Sequence, residues 1–260
     1  MVTYPNPKIN VGLDVLRRRG DGFHDLESLF VPVPALADKL EIEEAPEFSV
    51  EIVRVVEGKD VPVEWDPRKD LTVRSYELLR KDFQLPPVHI RLEKNIPVGA
   101  GLGGGSADCA FALRMLSELF DLFLPDEMLE IYAGELGSDC PFFIYNEPMF
   151  VSGRGDVLEK FSVPALDDFE IRLCLPEGIS VSTKEAYAGL TPAVPSLPLR
   201  EALSRPVCEW RDCVKNDFEA SVFALHPSLA GMKQSLYDSG AVYASMSGSG
   251  SALYGLFRRQ

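Results

Sequence analysis

Residues 97–110 read Pro-Val-Gly-Ala-Gly-Leu-Gly-Gly-Gly-Ser-Ala-Asp-Cys-Ala, and the five glycines between positions 99 and 105 constrain this chain more than any other feature. Without a Cβ, the backbone reaches positive φ and can lie directly against a ligand or another chain segment. The run empties into Ser106–Phe120, where Ala107, Ala110, Phe111, Met115, Leu116 and Leu119 recur at helical spacing. A glycine loop feeding a helix N-terminus aims several N–H groups at one point and predicts an anion cradle. Its residues are Pro97, Val98, Gly99, Ala100, Gly101, Leu102, Gly103, Gly104, Gly105, Ser106 and Ala107. The helix terminus contributes only about 0.3–1 kcal/mol per charge when exposed, so the multiple N–H bonds must carry most of the affinity. The competing reading is a flexible turn with no ligand.

Two better-known loops do not fit. Gly99, Gly101 and Gly104 satisfy GxGxxG, but the linker Lys94–Pro97 separates them from an alternating strand, and Asp121 falls at a helix end instead of on a second strand. A Walker A loop requires Lys-Ser/Thr after the glycines, and none follows.

The 26 Lys and Arg stand against 40 Asp and Glu, a formal charge of −14 over 260 residues, which disfavours nucleic acid and anionic membranes as partners. Small anionic substrates stay open, because local cations and backbone N–H groups can bind a phosphate against the net field. No window approaches a membrane span, and MVTYPNPKIN lacks a basic stretch followed by an apolar run, so a cytoplasmic location is expected. Cys109, Cys140, Cys174, Cys208 and Cys213 are scattered without CxxC spacing and read as reduced packing residues. Sequence patterning leaves the oligomeric state open.

Hydrophobic periodicity predicts strands at Tyr4–Leu16, Leu26–Val33, Asp38–Ile42, Phe48–Val56, the alternating run from Val88, Val151–Lys160, Ile171–Leu175, Val242–Met246 and Ala252–Phe257. Helices are expected at Leu71–Phe83, Ser106–Phe120, Pro125–Leu136, Asp217–Leu225 and Pro227–Ser239. Residues 60–69 and the Pro/Ser-rich Leu190–Pro198 read as loops, the second a possible lid, and the CPFFI segment reads as an apolar strand. A domain boundary is expected between Asp156 and Asp168.

Several side chains suit chemistry. Asp139, in Gly137-Ser-Asp-Cys-Pro-Phe-Phe, is either a turn cap or a carboxylate placed to accept a hydroxyl proton. Lys8 and Asn10 are two apart on the first strand and share a face. Lys8 is either a solvated edge lysine or a charge partner for a reacting group. His24, next to Phe23 in a polar loop, suits stacking on a flat ring or simple surface exposure. His89 and His226 have no ligands at metal spacing. Ser247-Gly-Ser-Gly-Ser251 is either a plain hairpin or a second substrate loop contributing Gly248 and Ser249.

Taken together these segments resemble the GHMP small-molecule kinases. Residues 97–108 resemble their phosphate loop, and SMSGSGSALYGLF resembles their C-terminal glycine motif. Pro7-Lys8-Ile9-Asn10, the Arg18–Ser28 segment, the triple glycine before Ser106 and the Gly137–Phe143 segment resemble the branch acting on a cytidylylated methylerythritol in the non-mevalonate isoprenoid route. The matching motifs run in order from residue 7 to 257.

The resemblance implies an α+β, two-domain GHMP kinase fold. A ribosomal protein S5 domain 2-like ATP-binding domain with a left-handed βαβ unit would cover residues 1–157, and a ferredoxin-like substrate domain 158–260. It implies an active site in the cleft between them, ATP as phosphoryl donor, Mg2+ arriving with it near Ser106, and two small-molecule substrates. Carried over, Asp139 is the base, Lys8 its charge partner, residues Gly99–Ala107 the phosphate cradle, and Asn10, Phe23, His24 and Tyr187 the cytidine surroundings, with Gly248 and Ser249 nearby. Phe23 stands where tyrosine is common, Ala107 where a second serine is frequent, and Ala100 where glycine is. The alternatives are a kinase for another small alcohol, such as mevalonate or homoserine, and a non-catalytic nucleotide-binding protein.

Overall fold

The computed structural model describes residues 1–56 and 58–259, so Glu57 and Gln260, the last residue of the expected second domain, lie outside it. The clearest strand in the sequence is β7 (Val88–Glu93), where Val88, Ile90 and Leu92 are buried and His89, Arg91 and Glu93 are half-buried, the period-two pattern of a sheet with one inward face. It lies in a five-stranded sheet with β1 (Val2–Thr3), β4 (Lys39–Glu44), β5 (Ser49–Val56) and β6 (Lys59–Pro62), in the order β1-β4-β7-β5-β6. β5 and β7 run parallel and are joined through α1 (Leu71–Phe83), which forms a βαβ unit. Asp70 caps α1 by accepting the Thr72 N–H, and Arg80 and Lys81 sit in its last turn, where cations suit the helix dipole.

Three helices follow: α2 (Gly104–Leu119), α3 (Asp126–Leu136) and α4 (Cys140–Tyr145). α2 packs on α1 and β4. The last of these corrects an expectation. Residues 140–145 were expected as a strand, yet they form a short helix with Pro141 in its first turn, where a missing N–H costs nothing. Cys140 through Ile144 are buried in succession, and burial on all sides erases the periodicity that would separate helix from strand.

These elements form one compact unit, residues 1–7, 33–98 and 103–147. The other comprises residues 8–32, 99–102 and 148–260. Contacts therefore group residues by fold instead of chain order, and β9 (Val157–Lys160) spans position 157/158 while pairing with β8 (Met149–Ser152). In this second unit β2 (Lys8–Arg18), β3 (His24–Pro32), β8 and β9 make a four-stranded antiparallel sheet in that order. The expected strand from Tyr4 is divided, because Pro5 and Pro7 offer no N–H to a ladder. β2 is buried continuously from Lys8 to Val15, so every polar residue on that stretch must find a partner.

A three-stranded antiparallel sheet, β10 (Phe169–Cys174), β12 (Leu253–Arg258) and β11 (Tyr243–Met246) in that order, completes the unit. Helices α5 (Thr183–Ala188), α6 (Leu199–Leu203), α7 (Trp210–Cys213), α8 (Phe218–Leu225) and α9 (Pro227–Asp238) belong to it. α5, α6 and α7, like β6 and the 3-10 turn Pro67–Lys69, fall where the sequence reads as loop or gives no period, because three to six residues are too few to show one. Residues 190–198 have no regular structure, as expected, but Ala193 donates its N–H to the Val15 carbonyl at 3.0 Å, which ties the segment to β2.

Candidate active site

Lys8 is 3% exposed, so it is not a solvated edge lysine. Its ammonium donates to Asn10 Oδ1 at 2.5 Å, approaches the Gly101 carbonyl at 3.5 Å and lies 4.3 Å from the centre of the Phe30 ring. The shared face of Lys8 and Asn10, expected from their spacing, is thus a direct bond. Asn10 is itself fixed: its Nδ2 donates to Ser28 Oγ at 2.9 Å, whose hydroxyl donates to the Gly12 carbonyl at 2.6 Å. Its backbone N–H reaches Ser247 Oγ at 3.3 Å, and its carbonyl accepts from the Tyr254 hydroxyl at 2.8 Å. Both ends of the Asn10 amide are engaged within the protein, so the side chain acts as a holder of Lys8.

The same unit brings glycine residues 99–102 against the C-terminal serine loop. Ser247 Oγ donates to the Gly101 carbonyl at 2.9 Å, and Ala252 N–H donates to the Ala100 carbonyl at 3.1 Å. Leu102 accepts the Lys8 N–H at 2.9 Å. Gly101 has φ +76°, and a Cβ there would lie 2.1 Å from the Ser247 carbonyl oxygen, so this contact admits only glycine. Gly248 is also close, though less so, its would-be Cβ 3.1 Å from the Gly101 carbonyl and 3.4 Å from Asn10 Oδ1. The C-terminal loop is more than a hairpin turn: it buttresses the first loop. Ser249 is half-buried at its tip.

On the first unit, Gly103 adopts the left-handed conformation and α2 begins at Gly104, two residues earlier than the pattern suggests, with no side-chain cap on its first N–H groups. Pro97 and Val98 are exposed, Ser106 half-buried and Ala107 fully buried. α2 packs on α4, with Ser106 near Cys140, which adjoins Asp139. A bond with Cys109, reinforced by Ser106, lowers the Cys140 thiol, while that bond and burial push Cys109 up. Asp139 is half-buried and makes no side-chain capping bond to α4.

His24 opens β3 opposite Arg18, and its ring stacks on Tyr187 with centroids 4.5 Å apart and planes 20° from parallel. The two rings proposed to flank a base are therefore each other's partners here. Tyr187 also meets Phe218 edge-on at 4.8 Å. Phe23 is 56% exposed, with the Arg154 guanidinium 5.2 Å from its ring centre. Asp25 anchors the hairpin by accepting from Arg17 at 2.5 Å and Arg19 at 2.7 Å, and those bonds hold its carboxyl below the ordinary range.

Sequence reasoning missed Ser28, Phe30, Ser247 and Tyr254 around Lys8 and Asn10, along with a buried trio of Lys94, Asp38 and Asp108 in the first unit. For the trio a signal was present: Asp108 is a charged residue on the apolar side of a strongly amphipathic helix.

Residues 70–147 match the GHMP kinases N terminal domain and residues 200–260 the GHMP kinases C terminal domain. The 4-diphosphocytidyl-2-C-methyl-D-erythritol kinase of Bacteroides thetaiotaomicron is 48% identical over 257 residues, covering 99% of this chain and 92% of that relative. A crystal structure of 4-(cytidine 5'-diphospho)-2C-methyl-D-erythritol kinase superposes with a TM-score of 0.81 at 31% identity, covering 98% of this chain and 90% of that one. The mevalonate kinase of Methanococcus jannaschii shares the fold alone, with a TM-score of 0.70 at 12% identity over 99% of this chain and 90% of its own.

Proposed function

The chain belongs to the GHMP kinases, and within them to the 4-diphosphocytidyl-2-C-methyl-D-erythritol kinase family, and from this we infer that it passes the γ-phosphoryl group of ATP to the C2 hydroxyl of 4-diphosphocytidyl-2-C-methyl-D-erythritol in the non-mevalonate isoprenoid route. The observation that carries the reading is the near-full-length match at 48% identity, which spans the glycine loop, the Lys8–Asn10 strand and the His24 segment alike.

Phosphoryl transfer asks a protein mainly for positioning and electrostatic stabilisation. Asp139, at the start of α4, accepts the proton of the attacking hydroxyl. Lys8 offsets charge on the transferred group, and its bond to Asn10 keeps the ammonium from swinging among rotamers. The N–H groups of residues 99–107 hold the ATP phosphates. Mg2+ travels with those phosphates, and one protein hydroxyl is enough for an ion that keeps most of its water and phosphate oxygens. Ser106, half-buried in the first turn of α2, would offer that hydroxyl. His24 and Tyr187 stack on each other, and to flank the cytosine ring they must part and let it in, with Phe23 close by in sequence. Among the described residues no helix is long and apolar enough to cross a membrane, and a cytoplasmic enzyme acting on two small molecules suits the reading.

ATP consumption measured against cytidylyl-methylerythritol, mevalonate and homoserine tests it. Turnover only with the first is expected. Turnover with either of the others would assign a different alcohol, and ATP binding without turnover would make the protein non-catalytic.

A further inference from the structure

Beside the glycine loop the first unit buries an ionic trio that the proposed reaction does not use. Lys94 has a side chain 4% exposed, and those of Asp38 and Asp108 are 0% and 1% exposed. The Lys94 ammonium donates to Asp38 Oδ2 and, at 2.5 Å, to Asp108 Oδ2. The second Asp38 oxygen accepts the backbone N–H groups of Asn95 at 2.5 Å and Ile96 at 2.8 Å. Asp108 Oδ1, by contrast, is buried and makes no hydrogen bond.

Stability is a poor reason for this arrangement. A buried ion pair is often no better than apolar residues of the same volume, and an unbonded carboxylate oxygen adds a desolvation cost. Burial accordingly holds the Asp108 carboxyl well above its ordinary range, against the pull of Lys94. What the trio supplies is geometry. Asp38 pins residues 94–96, the stem that enters the glycine loop, and Asp108 lies in the second turn of α2, the stem that leaves it. One ammonium ties the two stems together. They touch directly as well, since a Cβ on Gly104 would lie 2.8 Å from Ile96 Cγ2.

We propose that Lys94, clamped between Asp38 and Asp108, is a positioning residue that sets the spacing of the glycine loop's two stems and so aims the loop's N–H groups at the nucleotide phosphates. This rests on the phosphate-cradle reading of the loop. Lys94 touches no reacting atom and acts through the backbone.

The test compares three variants by thermal unfolding, by the dissociation constant for ATP, and by kcat and KM for each substrate. Lys94→Met combined with Asp108→Leu removes the ammonium and one carboxylate, Asp38 keeps the bonds from the Asn95 and Ile96 N–H groups, and the unfolding curve checks that the variant is folded. It raises KM and the dissociation constant for ATP roughly tenfold or more, as misplaced binding groups do, while KM for the alcohol substrate stays put. Asp108→Asn keeps the shape and shifts ATP affinity less, in the same direction. Gly103→Val, which strains a residue at φ +71°, serves as the control on the loop itself. If Gly103→Val weakens ATP binding while the folded double variant and Asp108→Asn bind ATP as the parent does, the clamp is not a positioning device. If Gly103→Val also leaves ATP binding unchanged, the cradle reading falls and the proposal with it.

Discussion

Two buried lysines lie in separate units, one in a linker and one on a strand, and each is located by several groups around it. Lys94 is bound by two carboxylates, which overcome burial and hold its ammonium more basic than usual. Around Lys8, an amide oxygen, a backbone carbonyl and a ring face help to place the ammonium on its strand. Carboxylates consume the charge to hold two chain segments in register. The Lys8 contacts instead lie beside the glycine loop, at the Gly101 carbonyl and the Asn10 amide, where the proposed reaction needs a cation. Substitutions on the Lys8 side test whether the two lysines differ in this way, one in turnover and the other in ATP binding.

The largest effect is expected at Lys8. Lys8→Met should keep the fold and ATP binding while lowering kcat by about 10²–10³-fold, the usual worth of one preorganised electrostatic group. An unfolded variant, or one that loses ATP affinity as the Lys94 variants are expected to, would erase the contrast. Asn10→Leu should follow, with kcat down roughly 10-fold to 100-fold, because the ammonium loses the 2.5 Å acceptor that locates it. A KM effect without a kcat effect would move Asn10 from holder of Lys8 to substrate contact.

Away from both lysines, His24→Ala should raise KM for the cytidylyl substrate and spare kcat, since stacking is worth about 1–3 kcal/mol per base. An unchanged KM would remove the His24–Tyr187 pair from base recognition.

The smallest effect concerns Asp14, also on β2 but without a catalytic part. Burial, then Asp217 and Glu27, raise its carboxyl from 3.8 to about 7. The folded state therefore binds a proton that the unfolded state has released between those values, and stability falls as pH rises from about 4 to 7. Asp14→Asn should raise the unfolding temperature by a few degrees at pH 8, by less at pH 5, and leave kcat unchanged. An equal shift at both pH values would mean that packing, not ionisation, is responsible.

What the sequence shows of this molecule depends on how local each feature is. β7 and α2 are legible because one face of each is buried and the period survives. α4 is not, since Cys140–Ile144 is buried throughout. The glycine loop is legible in composition, and the shared face of Lys8 and Asn10 follows from period two. Ser28 was out of reach because it arrives from β3, and the β2–β3 register shifts between Val11 and Leu13, a displacement invisible in either strand alone. Lys94 is an ordinary linker residue until Asp38 and Asp108, 56 and 14 positions away, are folded against it.

The account turns on Asp139 as the base of a phosphoryl transfer, and a paired measurement on Asp139→Asn addresses it most directly. With cytidylyl-methylerythritol and ATP, the account predicts that ATP is bound as by the parent while kcat falls by about 10²–10⁴-fold, the range for losing a positioned general base. Near-normal kcat in that variant would contradict it.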